Sequence, residues 1–440
     1  MTIAYARNLE SIETDVLVCG TGCAGIGAAV AAARGGAQVL AVDRCGFAGG
    51  FFTAIIGSAF DGFTDQRTGR PVVGGVVFEM LERMGVIPSG SGPTTRFTAT
   101  GEYLDREKHP DWRVATCDPE RFKYAADALL SETGVRLLFH TQVSDVIRQG
   151  ERIEAVIVSN KAGLTAIRPK VVIDCTGDGD VAAWAGAPFE LAESLQPMSL
   201  HFRIMNLQPS FSLRQKCAAV LAQAHEQGRI GLYGGPWLAN FAPNEIYFNA
   251  IRVPGNPTNP EDVTRAEIQG RRDAWCMFEL WKEALPEFAD AYFMTSGPTA
   301  GARESRRIVG AYVLGEEDVL ATRRHDDVVV LGAWRLDQHP TDQAGYHHEQ
   351  VVAPYDIPYR TLLPKGVENL LVAGRCHSAT SRALASSRVT ATAMGMGQAA
   401  GTAAALAIQS ARSVYNVSIR NLQERLLAEG AILENRDVAV

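Results

Sequence analysis

The stretch that most restricts the fold is Thr14 to Arg44, TDVLVCGTGCAGIGAAVAAARGGAQVLAVDR. Val16, Leu17, Val18 and Cys19 form a short apolar run of the kind a buried parallel strand presents. The turn Gly20-Thr-Gly22-Cys-Ala-Gly25 follows at once, and a helix is predicted from Cys23 to Arg34, stopped by Gly35-Gly36. Gly20 permits a tight turn, Gly22 lets the backbone approach a pyrophosphate, and Gly25 lets the helix pack closely on the strand. Such a helix aims its unpaired N–H groups and the positive end of its dipole at phosphates. Gln38 to Val42 reads as the second strand. Asp43 stands at its end, about twenty residues past the glycines, where an acid binds ribose hydroxyls. An acid there disfavours a 2′-phosphate, although the adjacent Arg44 keeps NADP from being excluded. Glycines recur in ordinary turns, so the triplet alone is a weak signal. Strand, turn, helix, strand and acid together predict a dinucleotide site in an α/β domain.

With 440 residues, 46% of them apolar and 21% charged, the chain is long enough for two domains with cores of their own. The formal charge of -7 and the lack of any basic run argue against a nucleic-acid surface. The opening residues MTIAYARNLESIE contain no apolar leader core, and no apolar stretch approaches the roughly eighteen residues a membrane span needs. The expectation is a cytoplasmic protein. Eight cysteines are scattered without a CxxC or a zinc spacing. Cys19, Cys23 and Cys175 read as small packing residues. Cys45 and Cys376 follow nucleotide-site segments, which leaves a reactive thiol or a covalent cofactor link as a lesser alternative to packing.

After Asp43 the sequence Arg44-Cys-Gly-Phe-Ala-Gly49-Gly50-Phe-Phe-Thr53 is rich in glycine, so that a ligand longer than a pyrophosphate can lie over it. Residues 62–115 read as an insertion or lid with a helix near Gly75 to Met84. Asp118-Pro119-Glu120 caps a further helix. Val135 to His140 and the short strands Thr141 to Ile147, Ile153 to Ser159 and Leu164 to Arg168 form a β-meander. It leads into a buried strand at Lys170 that ends in Cys175-Thr-Gly-Asp-Gly-Asp180. Residues 191–364 alternate as an antiparallel sheet would, around a helix from Thr264 to Glu283. Asn369 to Arg375 is a late strand of the first sheet, Thr390 to Ile408 is a helix of small residues, and 411–440 is a polar helical tail. The first domain is therefore discontinuous, made of 13–61, 116–190 and 365–410, and three glycine turns face one long ligand.

Taken together, GTGCAG with Asp43, VVIDCTGDGDVAAWAG, NPEDVTRAEIQGRR, GARESRRIVGAYVLGEEDV, YDIPYRTLLPKGVENLLVAGRCHSATSRAL and RVTATAMGMGQAAG resemble the FAD-dependent oxidoreductase family of the glutathione-reductase-like flavoproteins. The resemblance implies a Rossmann-like FAD domain with a central parallel sheet and β-meander, and an inserted α+β substrate domain with an antiparallel sheet. It implies adenosine near Asp43, Arg44 and Val143. The pyrophosphate would lie at Gly20, Gly22, Cys23, Ala24, Gly25, Thr176, Gly177, Gly374 and Arg375. The isoalloxazine would lie near Gly49, Gly50, Thr53, Arg388, Val389 and Gln398. Many relatives that oxidise NAD(P)H carry a second glycine fingerprint; here Gly234-Gly235 lacks its strand and helix context. Electrons are therefore expected from a small organic substrate or a partner protein. The acceptor, with O2 and a second protein both open, and assembly into a homo-oligomer stay undecided.

A flavin accepts hydride at N5 while charge develops near N1, where a cation or a helix N-terminus stabilises it. Arg388, just before the helix at Thr390, suits that role. Arg303, Arg306 and Arg307 crowd one segment with Glu304, and Arg303 leads as the guanidinium that clamps a carboxylate or polarises a carbonyl. His201, His325, His339, His347, His348 and His377 are the histidines in range to act as a base. His339, placed like the family's Asp-x-His segment, and His377, which follows Arg375, lead that list; Tyr359 is a further donor. The leading expectation is a dehydrogenase or oxidase taking hydride from a C–H next to oxygen or nitrogen. The alternatives are an electron-transfer subunit working with a protein partner and an NAD(P)H-dependent flavin hydroxylase.

Overall fold

The computed structural model describes residues 8–86, 117–208, 210, 212–242, 244–347 and 349–434. β1 (Glu10–Cys19), α1 (Cys23–Arg34) and β2 (Val39–Val42) form the opening unit, followed by α2 (Val76–Arg83). α3 (Pro119–Glu132) starts where Asp118 accepts the Arg121 N–H at 2.9 Å, the capping that Asp-Pro-Glu predicts. β3 (Arg136–Leu138), β4 (Gln142–Gln149), β5 (Arg152–Asn160) and β6 (Gly163–Asp174) complete a sheet in the order β3-β2-β1-β6-β5-β4. β3, β2, β1 and β6 run parallel, and β4, β5 and β6 form the antiparallel meander.

α4 (Asp180–Trp184) and β7 (Phe189–Glu190) lead out of this sheet. Then come β8 (Phe202–Met205), α5 (Leu213–Glu226), β9 (Tyr233–Ala242), β10 (Glu245–Ile251), α6 (Pro260–Ala284) and β11 (Tyr292–Ser296). Their strands make an antiparallel sheet in the order β11-β8-β10-β9. Its core is aromatic: Phe202 stacks on Phe248 with ring centroids 5.4 Å apart, and Trp281 and Phe288 are buried beside them. α6 begins four residues before the expected Thr264, because Asn259 accepts the Glu261 N–H at 2.9 Å and Pro260 fills the first turn. This is the same chemistry as Asp118-Pro119.

β12 (Arg307–Ile308) pairs with β7, and α7 (Glu316–Leu320), β13 (Val328–Gly332) and β14 (Tyr355–Pro358) follow. β15 (Leu370–Val372) returns to the first sheet beside β6, and α8 (Ser381–Ser387), α9 (Thr390–Gln409) and α10 (Ile419–Ala428) close the chain. The sequence suggests two strands meeting near Pro169, but β6 runs through it. Pro169 sits opposite Thr14 of β1 in a ladder that runs from Glu10 with Thr165 to Cys19 with Asp174, so β1 holds β6 as one strand across the point where β5 gives way to β15.

α1 and α9 are apolar nearly all round and buried in one core. They meet backbone to backbone. A Cβ on Gly397 would stand 1.9 Å from Ala24 O, and one on Gly401 2.1 Å from Ala28 O. Contacts rise together along both helices, so α1 and α9 run in the same direction. The described part of 62–115 belongs to this core: Val76, Val77, Met80 and Leu81 of α2 are buried in it. The rest of that segment, 87–115, lies outside the described residues. Val328 to Leu331, Tyr355 and Ile357 of β13 and β14, and Leu422 and Leu426 of α10, also pack there rather than on the second sheet.

Candidate functional site

The three glycines of the opening turn differ in surroundings. Gly20 takes a positive φ of 92°, and a Cβ there would stand 2.5 Å from Cys175 O at the end of β6. A Cβ on Gly25 would stand 1.9 Å from Gly20 O, so this position holds α1 against the turn. At Gly22 a Cβ would meet nothing nearer than the Gly50 Cα at 3.9 Å. Space is thus left open directly before the N–H groups of Cys23, Ala24 and Gly25, the cradle a pyrophosphate fills. Gly49 N donates to Thr21 O at 2.8 Å, which brings the Gly49-Gly50 segment over the same opening.

Asp43 ends β2 and orders its surroundings: Oδ2 accepts Thr21 N–H at 2.7 Å and Thr21 Oγ1–H at 2.8 Å, and Oδ1 accepts Cys45 N–H at 2.8 Å. Arg44 beside it is exposed, and Val143 of β4 is buried with Leu40 and Val42. Thr53 turns inward and donates to Ala48 O at 2.8 Å, bracing the Gly49-Gly50 loop.

The second edge turn is organised by Asp174, a residue the sequence reading does not single out. Its carboxylate accepts from Thr176 N, Thr176 Oγ1 and Ala182 N at 2.7 to 3.0 Å, and burial pushes it up to about 6. Gly177 lies against the Arg375 guanidinium, which bonds Asp178 and Ser305 at 2.7 Å each. Gly374, at φ 87°, would press a Cβ to 3.0 Å from that of Ala24, so the third turn also abuts the start of α1. At the far end Val389 caps α9 and Arg388 precedes it. Thr392 Oγ1, in the first turn of α9, is buried without a partner among the described residues. Gln398 lies two turns further along and its Oε1 accepts Val76 N–H at 3.1 Å, so it caps α2. Cys376 is wholly buried with its Sγ 3.7 Å from Asp174 O, and burial pushes its thiol far up.

A second constellation sits between the two cores. Arg252 at the end of β10 donates to His347 Nδ1 at 2.9 Å. Guanidinium only donates, so the His347 proton is on Nε2, which donates to Asp337 Oδ1 at 2.8 Å. His339 Nε2 lies 3.2 Å from the same carboxylate, and His339 Nδ1 is buried without a partner among the described residues. Against burial, the hydrogen bonds from His339 and His347 and the Arg388 charge hold Asp337 well below the usual carboxylate range. Burial, then Arg303, holds His339 well below 6.5, so its ring is neutral. These three residues bring ligand atoms within 4.8 Å of one another. The donor set is unsuited to a cation: His347 Nε2 is protonated by Arg252's claim on Nδ1, and Arg252, Arg303 and Arg388 surround it.

Of the arginine trio, Arg306 pairs with Asp180 at 2.7 Å and Arg307 with Glu304 at 2.6 Å. Among the described residues Arg303 bonds only uncharged oxygens, Pro197 O at 2.7 Å and Asn249 Oδ1 at 3.4 Å. His201 shares a 2.8 Å bond with the Tyr247 hydroxyl and meets the Phe51 ring edge to face; burial pushes it down to about 3. His377 departs from its expected role. Both its nitrogens are engaged, Nδ1 with Gly374 O at 2.8 Å and Nε2 with Ser387 Oγ at 3.0 Å, so it fixes the third turn and offers no free base. His325 packs on Tyr312, Tyr359 donates to Val414 O at 2.8 Å, and neither joins the cluster; His348 lies outside the described residues. Asp337, Arg252 and Asp61 join the site without having been singled out, and His201 joins it as one of the histidines in range. Asp61 faces Arg335, Asp337 and Arg388, and burial raises its carboxyl to about 7. An arginine at the end of an apolar strand was the one available signal for Arg252. A 580 Å³ groove along α6, lined by Ile268, Arg265 and Arg272 among others, lies on the surface and contains none of these groups.

The family described as FAD dependent oxidoreductase matches residues 15–426. No curated protein gives a significant match. Among solved structures, the chain is similar to a geranylgeranyl bacteriochlorophyll reductase-like protein from Thermoplasma acidophilum (TM-score 0.49, 15% identity, covering 96% of this chain and 85% of that one). It is also similar to a flavoprotein/dehydrogenase from Cytophaga hutchinsonii (0.47, 13%, 94% and 83%) and to the p-nitrophenol 4-monooxygenase PnpA from Pseudomonas putida (0.46, 13%, 96% and 85%). Among the described residues no helix is long and apolar enough to cross a membrane.

Proposed function

The chain belongs to the FAD-dependent oxidoreductase family, and from that premise we propose that it oxidises a small polar organic substrate at a C–H bond next to oxygen or nitrogen, with His339 as the general base. FAD is its cofactor, and when bound it supplies the two-electron acceptor for hydride. The open space at Gly22, the N-terminus of α1 and the turns at Gly177 and Gly374 would hold the pyrophosphate. Asp43 would hold the ribose, and the start of α9 with Arg388 and the unpartnered Thr392 hydroxyl would hold the ring end.

The observation that carries the reading is His339 itself, 5% exposed, with Nε2 tied to Asp337 and Nδ1 left without a partner among the described residues. An ionised carboxylate accepting from Nε2 selects the tautomer whose Nδ1 lone pair is free to take a proton. Arg252 and His347 hold Asp337 in place from the other side, so the carboxylate has one orientation. The substrate's O–H or N–H proton passes to Nδ1 as its C–H bond breaks.

The test is anaerobic mixing of the FAD-loaded protein with alcohols, amines and acids, reading loss of the flavin's visible absorbance. His339→Asn should slow the bleaching by about 10²- to 10⁴-fold without weakening FAD binding. Bleaching at the wild-type rate in that variant removes His339 from the role, and no bleaching by any compound removes the reaction.

A further inference from the structure

The buried cluster is unbalanced in charge. Arg252 and Arg303 are 3% and 8% exposed, and the Arg388 side chain is 14% exposed. Against these three cations stand Asp337 and the Asp61 carboxyl, which at neutral pH is only partly ionised. The other nearby carboxylates are already engaged: Glu304 with Arg307, and Glu349 with Arg335. Arg388 lies 3.7 Å from Asp337 and donates to its backbone O at 3.2 Å. Arg252 reaches only neutral acceptors, His347 Nδ1 and Gln343 O, and its Nε is buried without a partner among the described residues. Arg303 is left with two neutral acceptors, one of them long, and no carboxylate within 4.0 Å among the described residues. A buried guanidinium without an anion is costly, and its planar fork matches a carboxylate.

Resting on the hydride-transfer reading of this site, we propose that the substrate is a small carboxylic acid whose carboxylate seats on Arg303 and whose oxidisable hydroxyl- or amine-bearing carbon lies toward His339. Asn249, already 3.4 Å from the guanidinium, would share the carboxylate, and the His201–Tyr247 pair lies within the field of Arg303 to close the same end. Seating an anion there also changes His339. Arg303 is the foremost charge opposing its protonation, so a carboxylate on Arg303 offsets that opposition and lets Nδ1 take the proton. The acid would thus complete the base that acts on it. A neutral alcohol or amine would leave the Arg303 charge uncompensated and the base weak.

The FAD-loaded protein is titrated with lactate, glycine, benzoate and pyruvate and with the corresponding amides, following heat and the flavin difference spectrum. At least one acid should bind, and its amide should bind about 100-fold more weakly. Arg303→Met should weaken the acid by about 100-fold, and Arg303→Lys, which keeps the charge but loses the fork, by about 10-fold. If Arg303→Met does not fold, the Lys variant and the acid–amide pairs still decide. Equal binding of acid and amide, wild-type binding by Arg303→Lys, or no binding of any acid up to about 10 mM overturns the proposal. Bleaching by neutral alcohols or amines without any acid binding would sink the carboxylate and keep the hydride reaction. Tight acid binding with no compound bleaching the flavin would do the reverse.

Discussion

Gly22 and Gly25 share one turn but should fail in opposite ways when each becomes alanine. Gly22 has φ −65° and ψ −172°, an extended conformation open to any residue. Its added methyl meets nothing nearer than 3.9 Å, so the FAD-free Gly22→Ala protein should keep its stability to within about 1 kcal/mol. That methyl occupies the space through which a pyrophosphate approaches α1. Overlap of this kind costs about 1–3 kcal/mol, which corresponds to roughly 5- to 150-fold in FAD affinity. Gly25→Ala places its methyl 1.9 Å from Gly20 O, and α1 has no room to lift away. On its other side the Gly27 Cβ position is already 2.2 Å from Met394 O in α9. The FAD-free protein should therefore lose about 3 kcal/mol or more.

Thermal melts of the FAD-free proteins by circular dichroism separate the two effects, and quenching of flavin fluorescence gives the affinities. The reasoning fails if Gly22→Ala binds FAD like the wild type, or if it melts as low as Gly25→Ala.

Asp337→Asn removes the charge that fixes the His339 tautomer while keeping shape; the bleaching rate should fall by about 10²- to 10⁴-fold with FAD affinity little changed, and an unchanged stopped-flow rate would refute the dyad. His377 is wholly buried and pushed down to about 4, so on acidification the unfolded chain takes up its proton first. Its neutral form stabilises the fold fully above about pH 6.5, and that contribution, about 3 kcal/mol, is lost as pH falls toward 4. Asp61 and Asp174, with raised values, act in the opposite sense over part of this window, so the comparison is with His377→Gln. Urea midpoints at pH 7 and 4.5 should differ less in that variant, and equal differences would show that His377 does not carry the effect.

The first sheet was legible because its signals are local. An apolar run, three glycines and an acid within thirty residues specify β1, α1 and β2, and a capping Asp before proline marks α3; the same signal at Asn259-Pro260 is not used in the expectation that starts α6 at Thr264, four residues late. What the sequence hid is long-range. α2 reads as part of an insertion because its amphipathic pattern does not say which core it faces; its partner, α9, lies more than three hundred residues away. Arg303 could be singled out from two neighbouring arginines, but that it alone of these three lacks a carboxylate among the described residues depends on Asp180 and Glu304 capturing the others. His377 follows a nucleotide turn and so invites a chemical role, yet both nitrogens are consumed by Gly374 and Ser387. The pairing of Arg252, His347 and Asp337 joins two segments almost a hundred residues apart, and no spacing rule connects a strand end to a loop.

The glycines between α1 and α9 do more than let two helices touch. Because Gly397 lies over Ala24 and Gly401 over Ala28, the helices run the same way with a fixed offset, and α9 starts seven residues before that contact. α1 starts one residue before the same contact, so at 1.5 Å per residue the N-terminus of α9 leads by about 9 Å. Both helices therefore present positive dipole ends on one side of the sheet, at two separate points along it. A single mononucleotide would use one of them. An extended dinucleotide with a phosphate pair at one end and a ring that gains negative charge at the other would use both, and backbone contact with no side chain between prevents the spacing from relaxing. On this view the small residues of α9, TATAMGMGQAAG, set a distance, and enlarging Gly401 would move the ring end relative to His339 before it disturbed the phosphate end.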